Sequence, residues 1–215
     1  MLHSLIKTWF HWLEAWGYLG VFLLMALESS IVPVPSEVVM PPAAFWAAQG
    51  RMSLAGVILA GTAGSWFGSA VSYWVSRAVG LPVLQRFGKY VLIGPDKIAT
   101  GEKWVLQYGA GGIFAARLLP VVRHLISIPA GILRMPFGKF CAVTVAGAGL
   151  WCAVLSWFGM KVLGDQPQLL DSPEQMVLVI KAKLGWFVAA VVALAVAYVV
   201  MVVIRDRKAP APPAA

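Results

Sequence analysis

Four charged side chains, Glu28, Glu37, Arg117 and Arg123, stand inside stretches that are otherwise apolar and are broken by proline. The acids lie in LESSIVPVPSE and the arginines in FAARLLPVVRH. A charged side chain at bilayer depth costs about 2.5–3.5 kcal/mol on insertion scales, so it marks a functional site by default. Proline removes a backbone donor and breaks a helix, so neither stretch reads as a plain spanning helix. Irregular backbone at membrane depth is tolerated only where it is buried in protein or lines a wet cavity. These two segments therefore constrain the fold more than any other part of the chain.

The bilayer is inferred from composition. The 215 residues are 60% hydrophobic and only 12% charged, whereas a soluble domain carries about 25% charged residues. Long apolar runs place the chain among multi-span membrane proteins. The net charge of +8 is scattered over short loops, at Arg77, Arg86, Lys89, Lys97 and Lys103, and over Arg205-Asp206-Arg207-Lys208. That placement fits the positive-inside rule and attraction to anionic headgroups, not nucleic acid. Cys141 and Cys152 share one apolar stretch without metal-ligand spacing, so no metal and no cofactor are expected. Lys7 is followed by Trp9, His11 and Glu14 without a long apolar region, so a cleaved signal peptide is not expected.

Along the chain, residues 1–14 read as an interfacial helix, with Trp9, Phe10 and Trp12 beside Lys7 and His11. A broken apolar segment covers about 15–50, and a span rich in small residues covers 53–79. There Gly61-x-x-Gly64-x-x-x-Gly68 favours close helix packing. Pro95 followed by Asp96 reads as a helix start. A second broken segment covers about 104–134, interrupted at Pro120, Pro129 and Gly131, and a second span covers 137–164. Residues 165–183 read as a soluble loop, 184–205 as a C-terminal transmembrane helix and 206–215 as a disordered tail. Trp104, Tyr108 and Trp186 read as interface anchors.

The order of parts repeats. If each broken segment is a re-entrant hairpin, each unit crosses the membrane once and the two units are inverted. The expected fold is therefore an all-α polytopic membrane protein of two inverted repeats, each a hairpin plus a transmembrane helix, with a further C-terminal helix. Paired interrupted segments of this kind point to a transporter binding site. Loop charges put the C-terminus and 77–103 on the cytoplasmic side. The side of the N-terminus depends on whether 15–31 spans fully. Small residues in 53–79 and 141–149 would serve packing within one chain or a homo-oligomer equally well.

Arg117 and Arg123 are six residues apart with Pro120 midway, and a break there lets both point into one cavity. Arginine keeps its charge and bonds phosphate bidentately, so the pair suits a phosphate headgroup, with His124 and Ser36 as accessories. The alternative is internal pairing with Glu28 or Glu37. For the acids, apolar burial favours the neutral form and a nearby arginine the carboxylate. They would either couple transport to protons or merely balance the arginines. Ser29, Ser30 and Ser36 would cap freed backbone groups, and Pro33, Pro35, Pro120 and Pro129 would shape the hairpins. A membrane phosphatase would need a nucleophilic histidine with a basic partner. The local sequence is Pro-Ser-Glu, and no G-x-S-x-G elbow, Walker loop or HExxH is present. No catalytic residue is assigned, and an enzyme is not expected.

Glu28 followed by Pro35-Ser36-Glu37, then Phe114-x-x-Arg117-x-x-Pro120-x-x-Arg123, Pro129-Ala130-Gly131, Met135 and Phe140, resembles the DedA family, also called the SNARE-associated or VTT-domain superfamily. The resemblance covers about residues 15–160. It implies two facing re-entrant hairpins in a bacterial cytoplasmic membrane and a role in lipid transport. Members recycle undecaprenyl phosphate, and some are linked to phosphatidylethanolamine flipping. It also implies that Glu28, Glu37, Arg117 and Arg123 are essential. Glu37 departs from the aspartate common at the second acidic position, keeping the charge with a longer reach. The resulting expectation is a lipid-phosphate flippase coupled to the proton gradient. A proton or small-ion transporter and a structural assembly protein are the competing readings.

Overall fold

A computed structural model describes residues 13, 15–30, 35–87, 95–119, 122–163, 185 and 193. The described residues are helical and contain no strand. The elements are α1 (Tyr18–Glu28), α2 (Ser36–Ala48), α3 (Leu54–Phe87), α4 (Pro95–Arg117), α5 (Ser127–Ile132) and α6 (Phe137–Leu163). Pro33 and Pro120 lie outside the described residues. So do the expected loop at 165–183, the tail, nearly all of the expected N-terminal helix and nearly all of the C-terminal span.

Among the described residues two helices are long and apolar enough to cross a membrane: Leu54–Gly80, which is the first part of α3, and Phe137–Leu163, each of 27 residues. At 1.5 Å per residue each is about 40 Å long, more than the roughly 30 Å of a hydrocarbon core. Both are apolar on more than one face. Val57, Ala70 and Tyr73 of α3 and Phe140, Trp151 and Leu155 of α6 are buried, while Leu59, Phe67, Trp74, Leu150 and Trp157 face outward. A helix that is apolar all round has a core on one side and lipid on the other.

The short helices pack in a crossed pattern. α1 lies on α3, the long helix that follows it, while α2 lies on α6. In the second half α4 lies on α6, while α5 returns to α3. Each long helix thus receives the first arm of its own half and the second arm of the other half. Two apolar clusters result. One joins Leu24, Met25, Met40 and Phe45 to Trp151 and Leu155. The other gathers Ile113, Ala116, Ile126 and Ala130 around Tyr73 and Phe140. Both second arms also end in the same cap. The Arg51 amide reaches back to the Trp46 carbonyl at 3.0 Å, and the Met135 amide to that of Ala130 at 3.1 Å. The left-handed residue these caps require is Gly50 in one half and Arg134 in the other (φ 76° and 52°).

Proline does not break the helices that hold it at two places. α2 runs through Pro41 and Pro42. Their missing N–H groups forgo two intrahelical bonds, but the segment is buried, and Gly159 of α6 lets it approach so closely that a Cβ there would lie 2.5 Å from the Pro41 Cα. Pro129 and Gly131 lie within α5 rather than breaking it. Pro129 is its third residue, in the first turn, where a helix has no use for the N–H. An additional break falls at Gly109, whose φ of 52° interrupts α4.

The glycine face of α3 packs within the chain. A Cβ on Gly64 would strike the Phe22 carbonyl, and one on Gly68 the Ala26 carbonyl. Gly68→Ala is therefore expected to destabilise the protein by about 1–3 kcal/mol through overpacking. Gly138→Ala, with nothing within 4 Å of the added carbon, should leave stability equal or higher. Thermal unfolding of the two variants in detergent checks the pair, and equal melting temperatures would refute the close α1–α3 contact.

Candidate functional site

The sites of interest lie where the first arms end and the second arms begin. Glu28 is the last residue of α1 and Arg117 the last of α4, while Ser36 opens α2 and Ser127 opens α5. The Ser29 amide closes α1 on the Met25 carbonyl at 3.1 Å, and Ser30 Oγ donates to the Leu27 carbonyl at 2.8 Å. Pro35, extended at φ −69° and ψ 123°, forms the N-cap of α2 and offers no side-chain cap. The Ser36 N–H, one of the orphan donors of that helix start, instead donates to Glu28 Oε1 at 3.0 Å. The Glu28 carboxylate thus ties the end of one arm to the start of the next.

Its other oxygen reaches the second half of the chain. Arg123 Nη2 donates to Glu28 Oε2 at 2.8 Å, across 95 residues of sequence. The Arg123 guanidinium also lies over the Trp151 ring, 5.4 Å from its centroid, and the Trp151 indole N–H donates to Ser36 Oγ at 3.2 Å. Glu28, Ser36, Arg123 and Trp151 therefore form one closed buried network, with its Arg123 Nη1 left without a partner.

Arg117 sits differently. Its Nη1 donates to Ser69 Oγ and its Nη2 to Ser127 Oγ, both at 2.8 Å. Its guanidinium lies 5.7 Å from the centroid of Phe140. Its Nε has no partner, and among the described residues no carboxylate pairs with it. Arg117 is 4% exposed, Arg123 5% and Glu28 2%. Among the described residues two buried guanidiniums thus share one buried carboxylate, and Arg117 is the one that it does not pair. Burying a charge is tolerated when it is paired and hydrogen-bonded. Arg117 has hydrogen bonds but, among the described residues, no ion-paired carboxylate, and an anion would supply that partner.

The remaining expected residues fall out as follows. Glu37 is half-buried in the first turn of α2, where its charge suits the helix N-terminus. Among the described residues its carboxylate forms no ion pair, so the two acids do not each neutralise one arginine. His124 is half-buried beside Arg123 in the turn spanning 122–126. Ser36 serves the Glu28 network, not Arg117. Ser69, Ser127 and Trp151 were not anticipated. Ser69 reads in sequence as one more small residue on a packing face, and only the end of Arg117 reveals its part. Among the described residues no group of His, Cys, Asp and Glu could hold a metal ion.

An all-helical membrane protein with two buried arginines and a buried glutamate where its shorter helices end and begin is the class that these features define. The chain belongs to the VTT-domain (DedA) family, whose model matches residues 34–161. It is similar to a Bacillus subtilis protein named undecaprenyl phosphate transporter A, at 40% identity over 76% of this chain and 80% of the relative. It is also similar to the B. subtilis membrane protein YkoX, of uncharacterized function, at 35% identity over 80% of this chain and 75% of the relative. A Lactococcus lactis relative bearing the name alkaline phosphatase-like protein is 35% identical over 78% of this chain and 82% of that protein. No solved structure matches the chain.

Proposed function

We propose that this protein is a lipid-phosphate flippase of a bacterial cytoplasmic membrane, with undecaprenyl phosphate or a related phospholipid as cargo, driven by the proton gradient. The observation that carries the reading is Arg117: a guanidinium buried at the junction of the two halves, hydrogen-bonded yet, among the described residues, without a carboxylate partner. A phosphate is the anion that a planar guanidinium fork fits best. The transporter name of the B. subtilis relative supports the same cargo. A phosphatase is the weaker reading, because among the described residues no group of His, Cys, Asp and Glu could hold a metal ion beside the arginines.

In this reading the two halves are inverted repeats, each with a re-entrant hairpin, about 15–50 and 104–134. The crossed packing of the arms on α3 and α6 supports that symmetry. The C-terminus is cytoplasmic. The headgroup docks at Arg117, and Glu28 is the resting counter-ion of Arg123. A phosphate monoester carries about −1.5 to −2 charges at neutral pH, more than Arg117 alone balances. The cargo therefore recruits Arg123 as well, and Glu28 leaves it by taking up a proton. Protonation of Glu28 and loading of the headgroup are thereby linked, and Glu37 is the more accessible acid through which a proton passes. One half moving against the other exposes the loaded site to either side.

The test is translocation of a fluorescent prenyl phosphate in vesicles containing the purified protein, with and without an imposed pH gradient. Gradient-dependent flux is the expected result. Flux indifferent to the gradient would remove the proton coupling, and proton flux without lipid movement would replace the reading with an ion transporter.

A further inference from the structure

Buried polar groups without partners are few in native proteins, and each calls for an explanation. Three of them lie on Arg117 or on the helix faces that carry its neighbours. Its own Nε is one. Thr144 Oγ1 is the second, fully buried on α6 and without a partner. Its place follows from its neighbours. Phe140, one turn before it, lies under the Arg117 guanidinium. Gly147, one turn after it, is so close that a Cβ there would lie 2.8 Å from the Arg117 Cβ. Residues three and four apart share a helix face, so Thr144 lies along the Arg117 side chain. Ser65 Oγ is the third, buried without a partner one turn before Ser69 on α3.

Ser69 and Ser127 add to this set. Each accepts a hydrogen bond from Arg117, and among the described residues neither donates one. A hydroxyl carries one hydrogen to give beside its two lone pairs. Both serines therefore keep a donor free, held in place by the guanidinium that it caps. Arg117 Nε–H and the hydroxyls of Ser69, Ser127 and Thr144 together make a group whose four donor hydrogens have no acceptor among the described residues. Ser69 comes from α3, Ser127 from α5 and Thr144 from α6, so the group forms only when both halves are assembled.

We propose that Ser69, Ser127 and Thr144 are specificity residues, a hydroxyl cradle on Arg117 that binds the unsubstituted oxygens of a phosphate monoester. This rests on the lipid-phosphate reading above and deepens it. A monoester offers three non-bridging oxygens to such donors and a diester two. The cradle therefore favours the monoester, because a diester leaves a buried donor unpaired and adds a substituent where an oxygen should bond.

The experiment measures binding of farnesyl phosphate and of its methyl diester to the full chain in detergent, together with thermal unfolding of the empty protein. Thr144→Val removes a hydroxyl that bonds nothing in the empty site while keeping its shape. It is expected to raise the melting temperature slightly and weaken farnesyl phosphate binding about tenfold, and Thr144→Ser is expected to restore affinity. Ser69→Ala and Ser127→Ala are expected to weaken the monoester by a similar factor and the diester less. Should either serine variant fail to fold, Thr144→Val decides alone. Wild-type affinity in the hydroxyl variants, with Arg117→Ala unable to bind, would overturn the cradle and leave the lipid-phosphate reading intact. Wild-type affinity in Arg117→Ala as well would overturn both.

Discussion

Glu28→Ala is expected to destabilise the protein by about 3–5 kcal/mol, the cost of stranding one member of a buried ion pair. The Arg123 guanidinium would stay in a site only 5% exposed, with one of its terminal nitrogens already lacking a partner. The Ser36 N–H at the start of α2 would also lose its acceptor. The same principle makes the double variant informative. Replacing both Glu28 and Arg123 by leucine removes both charges, and a buried pair exchanged for apolar side chains is often neutral or stabilising. Chemical or thermal unfolding in detergent should therefore rank Glu28→Ala well below the wild type and the double leucine variant near it. If Glu28→Ala unfolds like the wild type, the network across α1, α2 and the 122–126 turn does not hold the halves together.

Arg117→Ala has the opposite signature. It removes a cation that, among the described residues, no carboxylate pairs, so stability should hold or rise, while lipid-phosphate translocation should fall about a hundredfold or more. That magnitude follows from losing two or more hydrogen bonds between a guanidinium and an anion, each worth about 1.5–3 kcal/mol, where 1.4 kcal/mol is a factor of ten. Arg117→Lys should recover only part of the rate, since a point charge cannot reproduce the planar fork that now engages Ser69 and Ser127. The vesicle assay and a melting curve on the same samples check both halves of the prediction. Undiminished translocation by Arg117→Ala would end the proposal that this guanidinium holds the headgroup. A large loss of stability would instead make it a structural residue.

The contrast between the two arginines was not legible in the chain. Their spacing around Pro120 marks both as costly and therefore purposeful, and it treats them alike. Burial does treat them alike, but the carboxylate does not. Glu28 reaches Arg123 because α1 ends where the 122–126 turn passes, while Arg117 at the end of α4 points toward α3 and α5. Glu37 shows the converse. It reads as the twin of Glu28, yet its place one residue after Ser36 leaves it half-buried and outside the network. The serines were hidden for a different reason. On an apolar helix a small hydroxyl residue serves packing as well as bonding, and Ser69 looks no different from Gly64 or Gly68, which do only the first.

Taken alone, the sequence determined the membrane environment, the two broken segments, the repeat in the order of parts and the short list of charges set in apolar stretches. Those are local quantities, set by the cost of a charge in hydrocarbon and of a missing N–H in a helix, and they need no knowledge of neighbours. Only the tertiary structure decided which charge is paired, which is left open and which hydroxyls gather at it. An ion pair across 95 residues and a cradle drawn from three helices exist only once each long helix has received one arm from each half. That arrangement is a property of packing, and no single segment carries it.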